Sequence, residues 1–228
     1  MNGSVIGLIE FLQPYVTEHK QNLVEEVLEQ RTRHITVVLE NIYHPHNASA
    51  VVRSCDCFGV QDVHVIEGHN EYNINPYVVR GSAKWISIHK YPLNEESENS
   101  SFVQLKNQGY KLIGTTPDAS YKSIRDIDIN TKIAFVFGTE ETGLSKYAME
   151  QMDDFAHIPM HGFTESFNLS VSAAICLYES TNKMRASGVA WKLSDIEKKM
   201  LRLEWYKNII ARSDVLEREY LRINNKTP

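Results

Sequence analysis

Three segments of the sequence combine polar side chains with glycine or small residues in a pattern typical of catalytic and binding sites. The first runs from Asn47 to Gly59 and contains a lone Arg53. The second, residues 137–145, follows a strongly apolar run and contains two glycines and two glutamates. The third, residues 158–174, has a proline and a polar loop before a stretch rich in serine and alanine.

Arg53 falls on a predicted amphipathic helix, away from its apolar stripe at 100° per residue. A guanidinium in this position has two interpretations. It is either a solvated charge, paired with Asp56 one turn later, or a functional group. Asn47 is well placed to cap the start of this helix, and Gly59 to end it.

The second segment is a glycine loop of unusual charge. It is not a phosphate-binding P-loop, because Leu144 stands where the lysine would follow the second glycine. The Glu140 and Glu141 carboxylates would also repel a phosphate. We expect this loop to hold a neutral or cationic ligand through backbone groups.

In the third segment Asn168 is either the N-cap of a long helix or a site residue. His157 and His161 are four residues apart, but Pro159 between them argues against a helical metal face. No H-E-x-x-H or G-x-G-x-x-G sequence is present. We therefore expect neither a metal nor a nicotinamide cofactor.

Short apolar runs alternate with helical patterns along the chain, which predicts an α/β fold with a mainly parallel sheet flanked by helices. Ligands of such sheets bind beyond the carboxyl ends of the strands, where the three segments fall. Two short helices separated at Pro14 are expected first, and a capping box at Ser194 opens a helical tail. The predicted strands are 35–39, 63–66, 85–88, 111–115, 133–137 and 156–158. The predicted helices are 47–58, 145–152 and 168–187, together with a short helix that follows a polar loop at 94–101 and ends at residue 108.

The composition is that of a globular protein, with 42% hydrophobic residues among 228 and a net charge of −5. Three cysteines exclude a disulfide-rich secreted scaffold, and we expect all three to be reduced core thiols. No apolar run suits a membrane span or signal peptide, so we expect a cytoplasmic protein. From Val189 onward the chain is mildly basic, which indicates either a polyanion partner or a solvated helix face.

Taken in order, the three segments resemble the motifs of the SpoU branch of the SPOUT methyltransferases. Residues 39–47 and 201–205 resemble its TrmH type, the tRNA (guanosine-2′-O)-methyltransferases. The matching sequences are N-x-x-A-x-x-R at 47–53, F-G-x-E-x-x-G at 137–143, I-P-M at 158–160 and S-x-N-x-S-x-x-A-A at 166–174.

The resemblance implies an α/β domain at residues 34–188 whose C-terminal part is threaded into a deep trefoil knot. It leaves helical extensions at residues 1–33 and 189–228, the latter for RNA binding or dimer support. It also implies a homodimer whose active site draws on both subunits.

By the same resemblance, S-adenosylmethionine lies bent among three loops, 115–116, 137–143 and 158–168, and the glycines leave it room. Arg53 acts at the ribose 2′-hydroxyl of guanosine 18 in the tRNA D-loop. The expected positioning residues are Asn47, Glu140, Ser166 and Asn168. The expected cofactor-binding residues are Thr115, Phe137, Gly138, Gly143, Ile158, Phe167 and Asn168.

An acidic chain must bind RNA through local basic patches, because phosphate contacts carry much of the affinity. Two alternatives stay open: methylation of another RNA, such as ribosomal RNA, and a non-catalytic RNA-binding protein of the same fold. The candidate RNA-binding residues are Arg31, Arg33, Arg80, Lys84, Lys198, Lys199, Arg202, Lys207 and Arg212.

Overall fold

A computed structural model describes residues 2–68, 81–92 and 101–224. These residues fall into two compact units, one from Thr32 to Trp191 and one built from both ends of the chain, 2–31 and 192–224. The terminal segments, which the sequence analysis treats as separate extensions, thus share a unit. Arg80 and the predicted loop residues 94–100 lie outside the described residues.

The 32–191 unit is organised around a sheet whose seven described strands pair only in parallel, in the order β3-β2-β1-β6-β4-β7-β5. Every residue of the central strand β1 is buried, as expected for a β-branched run covered on both faces. The strands are β1 (Ile35–Glu40), β2 (Asp62–Glu67), β3 (Ser87–Pro92), β4 (Tyr110–Thr115), β5 (Lys122–Ser123), β6 (Lys132–Phe137) and β7 (Asp154–His157).

Helices cover both faces of this sheet. One apolar cluster contains Val51 of α3 and Ala173 of α6, and a second contains Phe102 of α4 and Ala148 of α5. The helices are α3 (Pro45–Phe58), α4 (Ser101–Asn107), α5 (Lys146–Gln151) and α6 (Leu169–Ala186), with 3-10 turns at Ser82–Lys84 and Ile124–Asp126.

The start of α3 differs from the prediction. Pro45 occupies the first helical position, where its missing N–H costs nothing, and His44 is the N-cap. Asn47 therefore lies inside the first turn, and its side chain is released from capping. The predicted end is confirmed, since Gly59 follows the helix with a left-handed φ of 78°. Strand β3 starts at Ser87 instead of residue 85, because the preceding 3-10 turn ends at Lys84 and Trp85 is its C-cap.

The second unit is a group of four helices from the two chain ends. As predicted, the N-terminal helical stretch is interrupted at Pro14. The predicted capping box between Ser194 and Glu197 opens the third helix, and Trp205 of that helix is buried. The helices are α1 (Asn2–Leu12), α2 (Glu18–Leu28), α7 (Asp195–Ile209) and α8 (Ser213–Asn224), with a 3-10 turn at Gln13–Tyr15.

Two of the three cysteines are core thiols, as predicted. Cys55 and Cys176 are buried, but Cys57 is exposed, because it lies on the side of α3 opposite the apolar stripe. Within the described ranges, no helix has the length and apolar character needed to cross a membrane.

Candidate active site

A cavity of about 520 Å³ opens beyond the carboxyl ends of β4, β6 and β7. Three loops line it: the residues after Thr115, the loop from Phe137 to Gly143, and the segment from Ile158 to Asn168. All seven residues expected to bind the cofactor are among the lining residues, as are Glu140 and Ser166. These loops are far apart in sequence, and the parallel sheet brings them to one edge.

The two glycines of the 137–143 loop line the cavity and also serve the backbone. A Cβ on Gly138 would lie 2.2 Å from the carbonyl oxygen of Gly143. The chain closes on itself here through a bridge between Thr139 and Gly143, with N···O distances of 2.9 and 3.0 Å. Gly143 has a φ of 70°, which a side chain would strain.

A chain of hydrogen bonds links the start of α3 to two cavity residues. The Asn47 amide donates to Oε1 of Glu140 at 2.7 Å, and its Oδ1 accepts from the Asn168 amide at 3.2 Å. Oδ1 of Asn168 in turn accepts from the backbone N–H of Ser170 at 2.9 Å. Asn168 is thus both the N-cap of α6 and part of the cavity lining, so capping does not exclude a role in the site.

The cavity is lined by acidic and uncharged residues. Glu140 and Glu141 are on its wall, and its described lining contains no lysine or arginine. Burial raises the pKa of the Cys176 thiol, also on the wall, to about 12, so this thiol is neutral and a poor nucleophile at physiological pH. Within the described ranges no three potential metal ligands cluster together. This setting suits a ligand that is cationic or neutral.

Asn47 and Arg53 are the predicted site residues absent from the cavity lining. Asn47 is hydrogen-bonded to the lining residues Glu140 and Asn168, whereas Arg53 is not. Arg53 is exposed and lies six residues (~9 Å) along α3 from Asn47. Among the described residues its guanidinium has no hydrogen-bond or ion-pair partner. Ser166 does line the cavity, and its hydroxyl has no hydrogen bond to the described residues.

Sequence reasoning missed Glu40, the last residue of β1. Its side chain is 2% exposed, and its two carboxyl oxygens accept hydrogen bonds from the hydroxyl and the N–H of Ser145, at 2.5 and 3.0 Å. The available signal was an acidic residue ending a fully buried apolar strand, where an unpaired carboxylate would be costly.

In the 32–191 unit, two candidate RNA-binding residues have different surroundings. Arg33 is half-buried and forms an ion pair with Asp62, Nε to Oδ2 at 2.7 Å. Lys84 is exposed at the end of a 3-10 turn.

In the unit of the chain ends, the basic residues are largely engaged. Arg31 is 2% exposed, with its guanidinium 5.3 Å from the ring centre of Trp205, so it belongs to the core and not to a surface patch. Lys198 forms an ion pair with Glu29, and Arg202 with Glu25. Lys199 is half-buried and has no ion pair with the described residues. Segments 1–31 and 192–228 together contain eleven Lys/Arg and eleven Asp/Glu.

A family model, described as the SpoU rRNA methylase family, matches residues 34–178. The chain belongs to this SpoU family. The match covers the sheet, all three loops of the cavity and α3.

Individual SpoU proteins match over most of the chain. It is 37% identical to the tRNA (guanosine(18)-2′-O)-methyltransferase of Borreliella burgdorferi, over 95% of this chain and 98% of that protein. A crystal structure of the Aquifex aeolicus TrmH/SpoU tRNA modifying enzyme superimposes with a TM-score of 0.76 at 28% identity, covering 86% of this chain and 98% of that one. The SpoU methyltransferase AviRb from Streptomyces viridochromogenes, crystallised with AdoMet, shares the fold with a TM-score of 0.60 at 24% identity, over 69% of this chain and 63% of that one.

Proposed function

We propose that this protein is an S-adenosylmethionine-dependent tRNA methyltransferase that modifies the ribose 2′-hydroxyl of guanosine 18. The observation that carries this proposal is the 37% identity, over nearly the whole of both chains, to a relative of that named activity. The cavity also supports it, because its lining unites the residues that the family resemblance assigns to the cofactor.

The cavity suits S-adenosylmethionine in size and charge. Its volume of about 520 Å³ is in the range of small-molecule pockets. A sulfonium cation is compatible with the Glu140 and Glu141 carboxylates and with the absence of basic side chains from the described lining. We assign Thr115, Gly138 and Ile158 to hold the adenosine part through backbone groups, and Phe167 to cover it with its half-exposed ring.

When bound, the cofactor supplies an electrophilic methyl group. The protein must align the ribose oxygen with it and favour loss of the hydroxyl proton. We assign Arg53 to stabilise the developing alkoxide, because an arginine with a pKa above ~12 is a poor base at neutral pH. A neighbouring RNA phosphate or water then takes the proton. Asn47, Glu140, Ser166 and Asn168 position the reacting groups.

A homodimer would bring Arg53 to a cavity. In the single chain this residue faces solvent, although it lies on a helix that is hydrogen-bonded to the cavity rim through Asn47. On α6, which packs against α3, Val171 and Tyr178 are 44% and 56% exposed and lie seven residues apart on one face. We assign this apolar face to the contact with a second copy, whose Arg53 would complete the site.

The proposal also includes the trefoil knot, the cellular location and the RNA contacts. The three loops that meet at the cavity are those that the SPOUT trefoil knot would thread, and the 158–168 loop leads from β7 into α6 beside the other two. A tRNA substrate places the protein in the cytoplasm. We retain Lys84, which is exposed, and Lys199, which is half-buried, as RNA contacts. Among the other described candidates, Arg33, Lys198 and Arg202 are engaged in ion pairs.

Ribosomal RNA is the second candidate substrate, because the family description refers to rRNA methylases. The deciding experiment incubates the purified protein with labelled S-adenosylmethionine and either unmodified tRNA transcripts or ribosomal RNA, and maps the labelled nucleoside. We expect label in 2′-O-methylguanosine at position 18 of tRNA, and none in a transcript carrying 2′-deoxyguanosine there. Label confined to ribosomal RNA would overturn the substrate assignment, and label in neither would overturn the enzyme assignment.

A further inference from the structure

The buried carboxyl group of Glu40 joins two elements that meet at the cavity. Glu40 ends β1, and the next residue, Asn41, turns the chain toward α3 with a φ of 50°. The partner of Glu40, Ser145, ends the glycine loop and caps α5, accepting from the N–H of Ala148 at 3.0 Å. One side chain thus connects the end of β1 to the far end of the loop that carries Glu140.

The other end of this loop is held by the sheet. Phe137, its first residue, is in register with Leu39 of β1. The two ends of the loop are therefore anchored at adjacent β1 positions, Leu39 through the strand pairing and Glu40 through its side chain. Between these anchors the loop has its own Thr139–Gly143 bridge and the contact of Glu140 with Asn47.

We propose that Glu40 is a positioning residue for the cofactor loop. By holding Ser145, it keeps residues 138–144 in the closed shape that forms the cavity wall. Without it, the loop would retain its own bridge but lose its distal anchor. The cavity would then be preformed in a smaller fraction of molecules, and the apparent affinity for the cofactor would fall in proportion to that fraction. This inference rests on the proposed function only in taking S-adenosylmethionine as the ligand.

The test compares Glu40→Gln with Asp62→Asn. Asp62 is a matched control, because it is also a buried carboxylate with two partners, Arg33 and His89. It differs in being the first residue of β2, so it lies at the amino ends of the strands, away from the cavity at their carboxyl ends. Cofactor affinity is measured by equilibrium dialysis with labelled S-adenosylmethionine, well below the melting temperature of each variant. Hydrogen exchange of residues 138–144 is measured in the absence of ligand.

We expect Glu40→Gln to raise the Kd for S-adenosylmethionine about tenfold, as for loss of a charge-assisted hydrogen bond, and to speed exchange in residues 138–144. Ser145→Ala should act in the same direction, and Ser145→Thr, which keeps the hydroxyl, should stay within about twofold of wild type. Asp62→Asn should lower the melting temperature without either effect.

Two results would overturn the inference. One is a Glu40→Gln protein with an unchanged Kd for S-adenosylmethionine and unchanged hydrogen exchange in residues 138–144. The other is an equal change of the Kd and the exchange in Asp62→Asn, which would show that Glu40 only stabilises the fold in general. If the wild-type protein fails to bind S-adenosylmethionine, the proposed function is refuted, and the exchange of residues 138–144 still decides the role of Glu40.

Discussion

The side-chain amide of Asn47 donates a 2.7 Å hydrogen bond to the carboxylate of Glu140, 93 residues later in the chain. This contact fixes the first turn of α3 to the wall of the cavity. Because Arg53 is carried by the same helix, the contact also sets where its guanidinium can reach. The proposed catalytic group and the proposed cofactor pocket are thus mechanically connected within one chain.

Replacing Asn47 with alanine should remove this connection. We expect kcat/KM for methyl transfer to fall by about 100-fold, since Glu140 and Asn168 both lose a partner and Arg53 loses its support. Methyl transfer to a tRNA transcript measures the effect. Ser54→Ala is the matched control, because it removes a hydrogen bond to Ala50 from the same helix, away from the cavity. Equal activity of the two variants would contradict the proposed role.

Gly138→Ala should destabilise the fold itself. The new methyl group would lie about 2.2 Å from the Gly143 carbonyl oxygen, so the loop must open. We expect the melting temperature to fall by several degrees and cofactor binding to be lost together. Gly188→Ala is the control, because a Cβ there would meet nothing within 4 Å. A Gly138→Ala protein that melts like wild type would show that the loop accommodates a side chain.

His64 should make the protein less stable in mild acid. Burial lowers the pKa of this imidazole to about 4, with the nearby His89 adding to the effect, from an ordinary value of 6.5. The unfolded chain therefore binds the proton more readily. The stabilisation is complete above pH 6.5 and is lost as the pH falls toward 4.

Between pH 7.5 and pH 5 this group should cost about 2 kcal/mol of the free energy of unfolding. Urea denaturation at the two pH values measures the difference, and His64→Gln separates it from the other histidines. The buried Asp62 carboxylate does not interfere in this window, because ion pairing lowers its pKa below the usual 3.8. If the pH dependence is the same in His64→Gln as in wild type, the buried imidazole is not its source.

The ion pairs of α2 should limit RNA binding by the C-terminal helices. Glu25→Gln with Glu29→Gln would free Arg202 and Lys198 with little cost to stability, because both ion pairs lie at the surface. We expect the double variant to bind tRNA more tightly and with a steeper salt dependence. Glu18→Gln removes one negative charge from an exposed position of α2, and its effect should be less than half that of the double variant. A tRNA affinity indifferent to all three changes would place the RNA elsewhere.

Much of the fold could be predicted from the sequence, because strands and helices follow local rules. The β-branched run at 35–39, the caps at Ser194 and Asn168, and the glycine stop at Gly59 are each set by a few neighbouring residues. The three loops of the cavity follow from the same rules, since parallel strands place their carboxyl ends at one edge.

The contacts between distant residues could not be predicted in the same way. Asparagine is a residue type that favours N-cap positions, but here the helix already starts at Pro45. The Asn47 side chain therefore donates to Glu140 instead of capping the helix. Glu40 is separated from Ser145 by 105 residues, and no periodicity connects them. A glycine is likewise required at position 138 because the backbone of Gly143 lies against it, and this contact exists only after the loop has folded.

The unit built from α1, α2, α7 and α8 has a consequence for how the protein is made. The helices α1 and α2 are synthesised before the 32–191 unit, while Trp205 and their other packing partners follow only after that unit. The apolar side chains of α1 and α2 must therefore stay uncovered throughout translation of the central segment. A nascent chain of this protein is expected to need chaperone protection around α1 and α2 until α7 has emerged.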